Sequence, residues 1–251
     1  MGKERVDINE KDINFFKFLY KHRYCNLKAI DILYLSKADT LYRRLKKLAE
    51  FDYIKVLKIK NRENLYLLGV EGYKILTKID MGKEYRKRNI TEQRLPFNVN
   101  HSLIIAEIGA MMSIRQYDYE IDLNIKGIFP EWKLIPDILL FDKIGIEIEI
   151  ENKSMIRYAK KLSELQNTKE IERLIYLSPT PQSLKFKIES NDEYKGGDNI
   201  DQRIILNETK QKINYIEIKD FIDNIDEHLN KFNLVSCRAD SLKLRRGNEK
   251  N

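Results

Sequence analysis

Pro136-Asp137 and, further on, Glu147-Ile148-Glu149-Ile150-Glu151-Asn152-Lys153 decide how this chain is read. Strand side chains repeat their direction every second residue, so Glu147, Glu149, Glu151 and Lys153 share one face. Ile146, Ile148 and Ile150 occupy the other face and read as core. A row of carboxylates beside an amine gains little from folding alone. It is explained by something cationic above it, such as a divalent metal. A one-sided amphipathic edge strand has the same pattern, so the surrounding segments must decide between the two.

Residues 134–141 read as a second apolar strand, and Lys143-Ile144-Gly145 as a three-residue hairpin loop with glycine at its left-handed position. Pairing Asp142 with Ile146 then sets Asp137 opposite Glu151, on the same face and next to Lys153. A two-residue loop would set Asp137 opposite Ile150 instead. Residues 101–115 read as a helix that is apolar nearly all round, with Glu107 its only acid. A lone buried carboxylate is costly unless it is paired or holds a metal.

Pro136-Asp137 with Glu151-Asn152-Lys153 resembles the motif of the PD-(D/E)xK nuclease superfamily. The resemblance implies a small mixed sheet flanked by helices, with a further acid on the helix before the sheet. It implies that Asp137 and Glu151 hold Mg²⁺ (or Mn²⁺), and that Glu107 adds a ligand directly or through water. Lys153 would then orient water or steady the developing charge. Some relatives use a Glu-x-Glu-x-x-Lys pattern, so whether Glu149 or Glu151 is the ligand stays open.

The chain has 251 residues and a net charge of +7, with 42% hydrophobic and 34% charged residues. That supports real cores and argues against a membrane protein. No apolar stretch approaches bilayer length and no secretory segment opens the chain, which gives a cytoplasmic reading. Cys25 and Cys237 lie far apart and read as reduced thiols, with no zinc site. Residues 1–95 carry 23 Lys and Arg against 13 Asp and Glu; the other 156 carry 23 against 26. A basic front half ahead of an acidic pocket suits a protein that grips a polyanion, although an AT-rich, Lys-rich genome also biases this count.

Residues 9–79 read as three helices, a hairpin and a fourth helix. Asn9 or Asp12 can cap the first helix, and Asp39 the third, over residues 40–51. The third helix buries Leu41, Leu45 and Leu48 and turns Thr40, Arg43, Arg44 and Lys47 outward, with Tyr42 and Lys46 flanking. Lys58, Lys60 and Arg62 ring the hairpin tip. His22 reads as a surface residue at a helix end. The order resembles a winged helix-turn-helix, which implies that helix three enters the major groove of double-stranded DNA and the wing touches the backbone. Thr40, Arg43, Arg44 and Lys47 are then the helix contacts, and Lys58, Lys60 and Arg62 the wing contacts.

The expected fold class is α+β: a winged helix over residues 1–80, a linker over 81–97, an α/β PD-(D/E)xK-like domain with a mixed central sheet over 98–236, and a basic tail over 237–251. Within the second domain a helix spans 155–167, and 174–177 is a short interior strand ended by Pro179 and Pro181. A polar loop covers 190–202. A winged helix followed by these acids looks like the replication-relaxation family of plasmids and mobile elements. The likeness implies a DNA-binding protein of replication or mobilisation with a Mg²⁺-dependent deoxyribonuclease-type site, working with element-encoded proteins and possible as a homodimer. The alternatives are a noncatalytic origin- or promoter-binding regulator on a nuclease-fold scaffold, and a restriction-type endonuclease. Metal binding separates the first two.

Overall fold

A computed structural model describes residues 6–59, 62–80, 98–151, 153–189 and 209–231. Lys60, the 81–97 linker, the 190–202 loop and the tail fall outside them. The chain is a mixed α+β protein in two compact units, divided between Gln116 and Tyr117.

The first unit runs α1 (Glu10–His22), β1 (Tyr24–Cys25), α2 (Leu27–Tyr34), α3 (Ala38–Glu50), β2 (Ile54–Leu57), β3 (Leu65–Leu68), α4 (Val70–Ile79) and α5 (Val99–Ile114). The two-residue β1, too short for a period-2 signal, joins an antiparallel sheet of order β1-β3-β2. Asn9 caps α1: its side chain accepts from Asp12 N at 3.1 Å, and Asp12 Oδ2 accepts from Asn9 N at 2.9 Å. Asn26 caps α2 in the same way, accepting from Ala29 N at 3.1 Å. The third helix starts two residues earlier than expected, with Lys37 at its N-cap and Asp39 in its first turn. Leu41, Leu45 and Leu48 are buried as the spacing required. Gly69 lets α4 leave the hairpin close to α3's exit, since a Cβ there would lie 2.1 Å from the Asp52 carbonyl.

Two expectations fail in this unit. His22 is 6% exposed rather than on the surface, stacked on Phe18 with ring centroids 4.2 Å apart. Burial, aided by the charge of Lys21, lowers its pKa to about 3. The second failure is α5, expected in the nuclease-like domain. Ala106 and Ala110 enter the same core as Ala29 and Ile30 of α2, while Val99 and Leu103 pack with Tyr24, Leu65 and Leu67. Small residues along one face let α5 approach α2 closely, so its apolar surface is covered within the first unit.

The second unit runs β4 (Tyr119–Ile121), α6 (Asp122–Ile128), β5 (Ile138–Leu140), β6 (Ile144–Ile148), α7 (Met155–Gln166), β7 (Arg173–Ser178), α8 (Pro181–Glu189), β8 (Ile213–Glu217), α9 (Ile218–Asp223) and α10 (Ile225–Asn230). Its sheet has order β4-β5-β6-β7-β8, antiparallel through β6 and parallel beyond it. β7 is interior and buried on both faces from Leu174 to Ser178, which explains its unbroken apolar run. Tyr158, Leu162 and Leu165 of α7 and Leu184 and Ile188 of α8 share one core with Leu139, Leu174 and Tyr176 of the sheet.

The expected hairpin register does not form. The loop is Phe141-Asp142-Lys143, with φ of 54° and 59° at Phe141 and Asp142, and Ile138 pairs with Ile146. Gly145 lies inside β6 opposite Leu139, not in the loop. A Cβ on Gly145 would stand 2.9 Å from Leu174 Cδ1 and 3.2 Å from Pro136 Cβ, so the glycine serves close packing on the sheet.

One polar cluster fastens the first unit. Asp12 is fully buried and accepts from Tyr34 Oη at 2.8 Å and Arg44 Nε at 3.0 Å, while a second Arg44 nitrogen pairs with its other oxygen. Removing one partner from a buried pair strands the other charge and costs about 3 kcal/mol or more. Arg44→Met should lower the unfolding free energy by that amount in urea titration; a change under about 1 kcal/mol would show that Asp12 is satisfied without it.

Candidate functional site

The acidic face is built on β5 and β6. Continuing the Ile138–Ile146 register by one residue sets Asp137 opposite Glu147, four residues earlier than Glu151. Asp137 Oδ2 accepts from Ile148 N at 2.7 Å, which fixes its carboxylate at the sheet. Glu147 in turn sits beside Tyr176 of β7. Alternation places Glu149 on the same face, and its backbone N–H bonds Leu177 O at 2.8 Å.

Glu147 and Glu149 are 2% and 3% exposed, so each needs a countercharge. Lys153 Nζ reaches Glu149 Oε2 at 2.9 Å, and Lys161, from the second turn of α7, pairs with Glu147 Oε2. Tyr158 accepts from Lys153 N at 3.0 Å, which holds the segment before α7 against the site. The other oxygen, Glu147 Oε1, is buried with no hydrogen-bond partner. Burial and the Asp137 charge push the Glu147 carboxyl up to about 7, against the pull of Lys161 and Lys153. Burial works against the Lys161 charge, but Glu147, Asp137 and Glu149 together outweigh it and raise its pKa, so its ammonium is held charged.

Of the expected catalytic set, Asp137, Glu149 and Lys153 belong to this face. Glu151 does not: it is exposed, in a bend past the end of β6, because the register is shifted. Glu107 lies in the first unit on α5, where Asn26 Nδ2 donates to it at 2.6 Å, so its carboxylate already has a partner. Glu147, paired with Lys161, stands across from Asp137 where the expected register had put Glu151. Lys161 lies on a helix outside the motif, and only the α7 packing pattern could have drawn attention to it.

Among the described residues no three His, Cys, Asp or Glu side chains converge as a metal cage. Mg²⁺ does not require one, since it is commonly held by one or two carboxylates with water and substrate phosphate completing the shell. Asp137 and Glu147 offer only oxygen donors, and the orphaned Glu147 Oε1 is the atom such a cation would satisfy. These two residues fit Mg²⁺ or Mn²⁺.

On the first unit, Thr40, Arg43 and Lys47 are exposed on α3, and Lys58 and Arg62 on the β2–β3 connection. Arg44 does not belong with them. Its guanidinium is committed to Asp12 and to the Asp7 carbonyl at 2.6 Å. A basic helix face and a buried-anchor arginine look alike in sequence; burial of Asp12 separates them. Among the described residues no helix is long and apolar enough to cross a membrane. No family model matches the chain, and no curated protein or solved structure is significantly similar to it.

The raised Glu147 pKa sets a pH dependence. The unfolded chain ionises Glu147 at its ordinary value, whereas the folded form resists until about 7. Stability from this group is therefore full below the unfolded pKa and falls as pH rises through 7. Urea titrations at pH 5 and pH 8 without divalent metal should show the protein losing stability relative to Glu147→Gln. Parallel profiles would mean that Glu147 ionises as freely in the folded state as in the unfolded one.

Proposed function

We propose that this chain is a double-stranded-DNA-binding protein of a plasmid or mobile element, acting in replication or mobilisation, with a Mg²⁺- or Mn²⁺-dependent phosphodiester cleavage site at Asp137 and Glu147. The observation that carries the catalytic part is Glu147 Oε1, buried and unpartnered opposite Asp137 and beside Lys161. The order α1-β1-α2-α3-β2-β3, with an exposed basic α3 followed by a hairpin, supports a winged helix-turn-helix reading of the first unit. Two antiparallel pairings followed by parallel strands and a crossover helix support a PD-(D/E)xK-like reading of the second.

In this reading Asp137 and Glu147 hold the cation, with Asp137 oriented by its bond from Ile148 N. A bound divalent ion lowers the pKa of an attacking water and offsets charge on the phosphate. Lys161, held charged on Glu147, and Lys153, held on Glu149, place two ammonium groups at the same face for the phosphate oxygens. Thr40, Arg43 and Lys47 with Lys58 and Arg62 supply the grip on the duplex, the cations contributing salt dependence rather than sequence choice.

The same ion pairs favour a second reading, a noncatalytic DNA-binding regulator. Lys153 and Lys161 already neutralise two carboxylates, which makes the acidic face self-sufficient. Cleavage of supercoiled, linear and single-stranded DNA with Mg²⁺ or Mn²⁺ tests the choice. Cutting should fall at least about a hundredfold in Asp137→Asn and Glu147→Gln, and millimolar Mg²⁺ should raise the melting temperature of the parent but not of Glu147→Gln. Intact DNA together with no metal-induced stabilisation would favour the regulator.

A further inference from the structure

Tyr42 is 69% exposed in the middle of α3. Its neighbours Arg43, Lys46 and Lys47 are exposed cations, whereas Leu41, Leu45 and Leu48 are buried. Tyr42 is thus a large apolar ring on the solvent side of a helix whose core stripe is already complete. Tyr42 is therefore rimmed by exposed cations of its own helix, Lys46 one turn on and Arg43 and Lys47 beyond it.

The rim selects a polyanion, and the centre selects an apolar group carried by that polyanion. In the major groove of a duplex the one exposed apolar group on a base edge is the thymine C5-methyl. We propose that Tyr42 is a specificity-determining residue that packs on thymine methyl groups, giving this protein a preference for A·T-containing duplex sites read from the major groove. The proposal rests on the DNA-binding reading of the first unit.

The test uses the full chain with two synthetic duplexes, alternating dA·dT and its methyl-free counterpart, alternating dA·dU, followed by fluorescence anisotropy over a salt series. The parent should bind the dT duplex roughly tenfold more tightly than the dU duplex, and Tyr42→Phe should keep that ratio. Tyr42→Ala should bring the ratio to about one while leaving the salt slope unchanged, because no phosphate-contacting cation is lost. An unaltered dT-to-dU ratio in Tyr42→Ala, or no preference in the parent, overturns the role of Tyr42 and leaves DNA binding standing. Absence of salt-dependent binding to either duplex overturns both.

Discussion

Phe141 and Asp142 both take positive φ, and the three-residue turn they make with Lys143 fixes β5 against β6. Side-chain direction alternates with every residue, so the register this turn closes decides which acid stands across from Asp137. It selects Glu147, which lies deep between Asp137 and Tyr176, instead of Glu151, which lies in solvent past the strand. Depth is what gives the site its electrostatic character. A carboxylate at the position of Glu151 would be screened by water, whereas Glu147 is desolvated and faces a like charge.

The first unit applies the same physics to a different end. Asp12 is as buried as Glu147, but every direction around it is filled: Asn9 N–H, Tyr34 Oη and Arg44 all meet its two oxygens. A satisfied buried carboxylate ties α1, α2 and α3 together and leaves nothing for a ligand. Glu147 keeps one oxygen without a hydrogen-bond partner. Comparing these two buried acids distinguishes an anchor from a candidate site better than their burial alone.

The helices of the first unit, the apolar β7 and the segregation of Glu147 and Glu149 from the isoleucines were legible because each is a local, periodic pattern. The faces were right where the register was wrong, since a register depends on loop conformation and on packing far away in sequence. Gly145 illustrates the error: a glycine near a turn suggests a left-handed residue, and here it answers to Pro136 and Leu174 instead. Arg44 and Glu107 failed for a related reason. Arg44 was expected to face DNA and Glu107 a metal, and the partners they have instead, Asp12 and Asn26, lie 32 and 81 positions away. Lys161 was invisible as part of the site because helix packing, not sequence spacing, brings it to the strand.

The docking of α5 bears on how the chain can be divided. Ala106 and Ala110 complete the core that Ala29 and Ile30 begin, and Leu103 covers Tyr24 and Leu65. A fragment ending after α4 would uncover that apolar surface and leave Asn26 without the Glu107 carboxylate. The self-contained piece of the first unit therefore extends through Ile114, and the hydrophobic helix that a sequence reader would assign to the second unit acts as the lid of the first core.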